Sequence, residues 1–168
     1  DPDELDAFVA EADRRGWQIE LHAIGDRGVR LALDAFEHAA RANGPWAGDP
    51  RGTGATPGTH ARRHRVEHIE TIHPADIGRF ASLGVVASMQ PYHGDPSPNQ
   101  ISVWAGNIGP ERASRAWAWT SIARAGGRKV IISGRSIEAS AEIARSLGYL
   151  KIPQDADVSM DFVHDYPD

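Results

Sequence analysis

The sequence predicts an α/β fold in which helices alternate with parallel strands. Segments with apolar residues at helical spacing alternate along the chain with short, β-branched runs. Glycine follows several of these segments and marks where they end. Helical segments separate the strands, so parallel pairing through right-handed crossovers is expected.

The first predicted strand lies between two helices. Residues 3–15 carry apolar side chains at helical spacing, and Gly16 ends that helix. In the next run, apolar and polar residues alternate as far as His22, which predicts a strand. Residues 27–42 form the second predicted helix, with Asp26 as the expected N-cap.

The middle of the chain begins with a loop and continues with two further strands. Residues 44–61 are rich in Gly, Pro and Thr, which is typical of a long loop. The run RHRVEHIE is then predicted to form a strand that ends at His68. A helix over 75–83 leads to the apolar run GVVASMQ, a predicted buried strand, and PYHGDPSPNQ is a predicted loop.

The last part of the chain repeats the alternation. Residues 110–125 are predicted to be one helix, because Pro110 suits its first position. The β-branched run GRKVIISG follows as a fourth strand, and a helix is predicted over 136–147. The chain closes with an extended, acidic tail.

Composition excludes several classes of protein. The 168 residues are 40% hydrophobic and carry a formal net charge of −5, which permits a packed core and disfavours a general nucleic-acid binder. No cysteine is present, so disulfides and thiolate ligands are excluded. No apolar run reaches the length of about 18 residues that a membrane span requires.

One short motif has two interpretations. His64, Glu67 and His68 spell H-x-x-E-H, a pattern that binds zinc in some metalloproteases when it lies on a helix. The β-branched neighbours and Pro74 instead favour a strand, which would deliver only His68 to a site at its carboxyl end. The metalloprotease alternative therefore requires helical backbone over 63–69.

His22 and His68 occupy the same place in successive predicted βα units. The carboxyl ends of parallel strands meet at one edge of a sheet, so the two imidazoles could converge on a metal ion. Alternatively, each histidine is a hydrogen-bonded structural residue. Both explanations stay open at this level, and the shared position is the argument for a metal.

Four stretches, taken together, carry a family resemblance. They are LHAIGDRGVRLALDAFEHA, RHRVEHIETI, DIGRFASLGVVASMQPYH and IGPERASRAWAWTSIARAG, and they lie in this order within residues 3–126. As a set they resemble the metal-dependent amidohydrolase superfamily, in particular the branch that includes N-substituted formamide deformylase. The resemblance implies a partial (β/α)8 barrel that contains strands 5 to 7 with their helices, followed by an extra βα unit.

The resemblance also implies a set of site residues. His22 at the end of the fifth strand and His68 at the end of the sixth would bind a divalent metal, with zinc expected. Gln90 and His93 follow the seventh strand and would act as catalytic and substrate-binding residues that orient or polarise the substrate. The family's metal polarises an amide carbonyl and activates water, so the implied reaction is hydrolysis of C–N bonds in amides or formamides.

This chain departs from the family's pattern in several places. The H-x-H pair of the first strand and the metal-bridging residue of the fourth are absent, because residue 1 falls just before the fifth strand. The aspartate of the family's Gly-Ser-Asp run aligns with Arg135, a cation that would repel a metal. Two histidines leave a metal under-coordinated, so we expect a fragment that turns over nothing by itself.

A second resemblance begins near residue 126. The run GGRKVIISGRSIEASAEIARSLGYLKIPQDADVSM resembles the β-CASP region of ribonuclease J-type nucleases, over about residues 126–160. This predicts a chimera, with a partial amidohydrolase barrel over 1–126 and a ribonuclease J-like βα unit plus acidic tail over 127–168. A fragment of an RNA-cleaving metallo-nuclease and an inert α/β piece are therefore alternative functions.

The partners expected from this sequence follow from its fold and charge. A small-molecule amide-type substrate is expected, whereas membrane contact and nucleic-acid binding are not. Half a barrel leaves strand edges open, which favours self-association into a homo-oligomer. A cytoplasmic location is expected.

Overall fold

The computed structural model describes residues 1–44, 62–90, 93, 98–126 and 130–132. The predicted helix at 136–147, the acidic tail, Arg135 and most of the 44–61 loop lie outside the described residues. None of the helices in the described ranges combines the length and the apolarity that a membrane crossing requires.

Helices and strands alternate along the described chain, as the sequence predicts. In chain order the elements are α1 (Pro2–Arg14), β1 (Glu20–Ala23), α2 (Asp26–Asn43), β2 (Arg65–His68), a 3-10 turn (Pro74–Asp76), α3 (Arg79–Leu83), β3 (Val86–Met89), α4 (Pro98–Ile108), α5 (Pro110–Ala113), α6 (Trp119–Arg124) and β4 (Val130–Ile132).

The four strands form one parallel sheet in the order β1-β2-β3-β4. In the register of the first pair, His22 lies opposite Glu67 and Ala23 lies opposite His68. In the second pair, Glu67 lies opposite Ser88. All strands therefore point the same way, and their carboxyl ends share one edge of the sheet.

One face of the sheet is covered by apolar packing. Ala23, Val66 and Ala87 come from neighbouring strands and are buried with side chains of α2 such as Leu33 and Phe36. Helix α2 is strongly amphipathic, so it can turn a continuous apolar stripe toward the strands. Burial of this stripe drives the docking of α2 onto the sheet.

The residues that alternate with this apolar set give the other face a polar character. A strand turns successive side chains to opposite faces. Glu20 and His22 of β1, Arg65 and Glu67 of β2 and Ser88 of β3 therefore line the second face. The side chains of Arg65 and Glu20 form an ion pair across the first two strands of this face.

The connection after β3 is more helical than predicted, and the next helix is less regular. The predicted loop PYHGDPSPNQ in fact contains the start of α4 at Pro98. The single helix predicted over 110–125 is instead split into α5 and α6. The split occurs because the Trp117 amide donates to the carbonyl of Glu70 at 2.8 Å with a positive φ of 48°. A tertiary hydrogen bond thus replaces the local helical one.

The start of α2 also differs from the prediction. The N-cap is Gly25, and Asp26 is the first residue of the helix. Its carboxylate accepts from Arg112 at 3.2 Å and from the amide of Arg27 at 3.0 Å. Asp26 therefore ties α2 to α5.

Candidate metal and substrate site

Three of the predicted site residues lie at the carboxyl edge of the sheet. His22 is the third residue of β1, His68 is the last residue of β2, and Gln90 directly follows β3. His93 lies three residues beyond Gln90, and its amide donates to the Gln90 carbonyl at 3.0 Å. The structure therefore brings the four predicted residues together.

The rings of His22 and His68 lie side by side. Their centroids are 4.5 Å apart, and the ring planes meet at 69°. Simple strand alternation would have placed the two rings on opposite faces of the sheet. His22 lies opposite Glu67 in the register, and His68 is one residue further along β2. Residue spacing alone therefore does not explain the contact.

Backbone conformation at the end of β2 explains it. His68 has a φ of 75° and the next residue, Ile69, has a φ of 53°. Both values fall in the left-handed region, which costs an L-residue roughly 1–2 kcal/mol. Ile69 is β-branched and fully buried, so tertiary packing holds the turn in place. The turn places the imidazole of His68 beside His22, and backbone strain of this kind is typical of functional sites.

Gln90 connects His68 to a carboxylate on the polar face. Its Oε1 lies 2.8 Å from Nδ1 of His68, and its Nε2 lies 3.5 Å from Oε2 of Glu67. The same Glu67 oxygen accepts a 2.7 Å hydrogen bond from the hydroxyl of Ser88. Arg65 Nε lies 2.6 Å from the other oxygen of Glu67. This arrangement places the carboxylate of Glu67 behind the Gln90 amide.

His93 is paired with a carboxylate, that of Glu70, which the sequence analysis did not predict. Its ring stacks on His68 with centroids 5.6 Å apart and planes at 14°. Its Nδ1 lies 2.9 Å from Oε1 of Glu70, whose side chain is 12% exposed. Glu70 lies beyond the end of β2, where no strand periodicity indicates its direction. Its position two residues after His68 was the only signal available in the sequence.

His64 lies at the opposite end of β2 and belongs to a structural network. Its ring is 2% exposed, Nδ1 accepts from the amide of Ile19 at 3.2 Å, and Nε2 lies 2.9 Å from Oδ1 of Asp13. The ring also stacks on Phe36 with centroids 4.8 Å apart. Because an amide N–H can only donate, Nδ1 of His64 carries no proton and Nε2 donates to Asp13.

The H-x-x-E-H zinc-helix alternative is therefore wrong. His64 directly precedes the strand Arg65–His68, and His68 is the last residue of that strand. The two histidines therefore do not lie on one face of a helix. His64 is bonded through both ring nitrogens, whereas His68 reaches the carboxyl edge. Extended backbone separates the two imidazoles too far for a shared ion.

The donor set fits only part of a metal site. His22 and His68 supply two adjacent imidazoles, which suit Zn²⁺ and related divalent ions. Among residues 1–44, 62–90, 93, 98–126 and 130–132, no group of three or more His, Cys, Asp or Glu side chains is arranged to hold an ion. The described residues could thus contribute two ligands but do not complete the site.

Two family models match this chain over overlapping ranges. The model described as "Amidohydrolase family" matches residues 1–132. The model described as "Ribonuclease J, beta-CASP domain" matches residues 103–168. The change of family expected near residue 126 falls inside the overlap of the two ranges.

A curated relative is the protein LONG AFTER FAR-RED 3 of Arabidopsis thaliana. It is 35% identical over 113 residues, which cover 67% of this chain and 16% of that protein. This chain therefore spans about a sixth of the relative's length.

Two solved structures have the same fold. One is an uncharacterized metal-dependent hydrolase from Pyrococcus furiosus, with a TM-score of 0.59 and 25% identity, covering 86% of this chain and 26% of that one. The other is an uncharacterized metal-dependent hydrolase from Pyrococcus horikoshii OT3, with a TM-score of 0.60 and 21% identity, covering 91% of this chain and 27% of that one. The model match over residues 1–132 is more than half of the sequence. Together with the parallel sheet and the histidines at its carboxyl edge, it shows that the chain belongs to the amidohydrolase family.

Proposed function

We propose that this chain is part of a metal-dependent hydrolase that cleaves C–N bonds in small amides or formamides. The supporting observation is the contact between the rings of His22 and His68, 4.5 Å apart at the carboxyl edge of the sheet. In this proposal, strands β1 to β3 are strands 5 to 7 of a (β/α)8 barrel. A divalent metal, with zinc as first choice, would supply Lewis-acid polarisation of the substrate carbonyl.

The residues around the two histidines have separate proposed roles. His22 and His68 bind the metal, whereas His93 faces the substrate as a proton-transfer group beside its carboxylate partner Glu70. A carboxylate on Nδ1 fixes the orientation of an imidazole and leaves Nε2 for chemistry. The described residues supply only two adjacent imidazoles, so we expect no turnover by this chain alone.

A zinc titration of the isolated chain tests the metal assignment. We expect Zn²⁺ to shift the ring resonances of His22 and His68 together in NMR spectra, with affinity too weak to survive dialysis. The His22→Ala variant should lose the response at His68, because one imidazole alone is a poor site. The matched control is His38→Ala, which alters an exposed histidine on α2 and should leave the titration unchanged.

Two outcomes of this titration would contradict the proposal. An unchanged His68 response in His22→Ala would mean that the two rings do not share an ion. Stoichiometric zinc retained after dialysis would mean that the site in this chain is complete. A panel of N-substituted formamides and amides added to the same samples should show no turnover above the zinc-only blank.

A second candidate function is supported by the ribonuclease J match over residues 103–168. We propose that residues 127–168 are a βα unit with an acidic tail that is foreign to the barrel of residues 1–126. RNA binding that weakens steeply with salt would favour the nuclease alternative, since phosphate contacts dominate such affinity. The amidohydrolase proposal expects no such binding.

A further inference from the structure

The hydrogen bonds behind His68 point to a role for Gln90 other than substrate contact. Its side-chain oxygen lies 2.8 Å from Nδ1 of His68, so the oxygen is engaged with the histidine. A group engaged in this way is poorly placed to polarise a carbonyl. It is well placed to determine which nitrogen of His68 carries the proton.

The orientation of the Gln90 amide is set by Glu67. A carboxylate only accepts hydrogen bonds, so the Gln90 group that faces Glu67 Oε2 at 3.5 Å must be the NH₂. The flipped amide would place two oxygens against each other and would turn the NH₂ toward His68. Arg65, 2.6 Å from Glu67 Oε1, and the Ser88 hydroxyl, 2.7 Å from Oε2, keep that carboxylate in place.

A defined tautomer follows from this chain of contacts. Because Gln90 Oε1 only accepts, Nδ1 of His68 must donate, and the proton of the neutral ring therefore resides on Nδ1. Nε2 is then bare, with its lone pair free for a ligand. A hydrogen bond on one ring nitrogen commonly fixes the tautomer of a histidine whose other nitrogen binds a metal.

We propose that Gln90, oriented by Glu67, is a positioning residue that holds His68 as its Nδ1–H tautomer with Nε2 bare. That the bare nitrogen binds a divalent metal rests on the proposed function, but the tautomer itself does not. The backbone turn at His68 places the ring, and Gln90 determines its protonation pattern. Neither residue 67 nor residue 90 needs to touch substrate for this role.

The tautomer can be read directly by ¹⁵N NMR of the histidine rings without metal. Protonated and bare ring nitrogens differ widely in chemical shift, and the spectra are recorded at alkaline pH to report the neutral ring. We expect Nδ1 of His68 in the wild-type chain to resonate as a protonated nitrogen and Nε2 as a bare one. In Gln90→Met the pattern should reverse, toward the Nε2–H tautomer that free histidine favours.

His64 is an internal reference in the same spectra. Its Nδ1 accepts from the Ile19 amide, so its expected tautomer is the opposite one, with the proton on Nε2. Its pattern should stay constant in every folded variant.

Three NMR results would overturn the proposed role of Gln90. A wild-type His68 with its proton on Nε2 overturns the proposal, and so does an unchanged pattern in folded Gln90→Met. If Gln90→Met loses the His64 pattern and is therefore unfolded, Glu67→Gln decides, since loss of the orienting carboxylate should produce a mixture of tautomers at His68. A pure Nδ1–H pattern in that variant would also overturn the proposal.

Zinc then distinguishes this inference from the function on which it rests. Loss of a residue that orients a metal ligand typically weakens metal affinity by about 10–100-fold. We expect Gln90→Met to weaken the zinc response of His68 within that range. A His68 ring with the expected tautomer but no zinc response would contradict the proposed function and leave the positioning role of Gln90 standing.

Discussion

The carboxylate of Asp13 is fully buried at the amino end of the sheet, and its bonding partners among the described residues include three side chains. Arg62 lies 2.6 Å from Oδ1 and 2.9 Å from Oδ2, His64 Nε2 lies 2.9 Å from Oδ1, and Asn43 Nδ2 lies 2.7 Å from Oδ2. The network links the end of α1 to the end of α2 and to the entry of β2. A buried charge with so many contacts is costly to break from one side.

Asp13→Ala should therefore destabilise the fold strongly. Removal of the carboxylate leaves Arg62 and His64 without their shared acceptor, and breaking a buried pair in this way costs about 3–5 kcal/mol. The free energy of unfolding, measured in urea, checks this expectation. The matched control is Glu11→Gln on the same helix, where the carboxylate is half-exposed and forms surface ion pairs with Arg14 and Arg15. The urea midpoint of that variant should barely move.

The same network predicts how stability depends on pH. Burial by itself would raise the pKa of Asp13, but the hydrogen bonds from His64, Arg62 and Asn43 outweigh it and hold the pKa well below its usual range. The contribution of Asp13 to the free energy of unfolding is therefore complete above its unfolded pKa of about 3.9. It is lost as the pH falls below that value. Asp13→Asn should flatten this acid dependence, and an equally steep acid loss in Asp13→Asn would contradict the assignment.

At the scale of elements, helix α2 shows how one segment meets different backbone demands at its two ends. Gly28 lies in the first helical turn, where a Cβ would approach the Cβ of Ala23 at an ordinary 3.5 Å. Gly44 ends the helix with a φ of 66° and a ψ of −170°, a conformation open almost only to glycine. The backbone therefore requires glycine at position 44 but not at position 28.

Gly28→Ala and Gly44→Ala should consequently shift stability in opposite directions. Gly28→Ala should stabilise by about 0.4–1 kcal/mol, because alanine restricts the unfolded chain and fits the helix. Gly44→Ala should destabilise by about 1–3 kcal/mol through backbone strain, although no atom of the described residues lies within 4 Å of the new Cβ. Thermal unfolding of both variants beside the wild-type chain measures the two shifts, and shifts of the same sign would refute the argument.

On the scale of the whole molecule, structural residues and candidate site residues lie at opposite ends of the sheet. The Asp13 and His64 network stabilises the amino end, whereas His22, His68, Gln90 and His93 gather at the carboxyl end. In open α/β sheets, ligands bind outside the carboxyl ends of the strands. The distribution of buried structural contacts and partly exposed imidazoles follows that rule.

The outer edge of β1 predicts self-association of the chain. Within the described residues, β1 pairs only with β2, and the amides of Arg65 and Ile69 donate to the carbonyls of Ile19 and Ala23. The backbone hydrogen-bonding groups of residues 19, 21 and 23 therefore face β2, whereas the amide of Glu20 faces the open edge. Exposed Phe8 and Trp17, 67% and 63% accessible, add apolar surface on the segment before that strand.

Glu20→Pro should reduce this association without unfolding the chain, because the backbone group it removes is an outward N–H and proline is tolerated on edges. It also removes the ion pair with Arg65, but that pair is solvent-exposed and contributes little to stability. Sedimentation at several concentrations should move toward the monomer, with an unchanged circular dichroism spectrum. Leu21→Pro is the control, because its amide faces β2 and its loss should disrupt the sheet. A wild-type chain that stays monomeric at high concentration would refute the prediction.

Local patterns in the sequence were enough for the alternation of helices with strands, the parallel sheet and the end of β2 at His68, whereas β1 runs one residue past its predicted end at His22. Periodicity and stop residues act over a few residues, so a single sequence can display them. The left-handed turn at His68, the split near Trp117, the Glu70–His93 pair and the Asp13 network were decided only by tertiary structure. Each depends on packing or hydrogen bonds between residues far apart in the chain, or on a backbone strain that such contacts stabilise, and no local pattern encodes those energies.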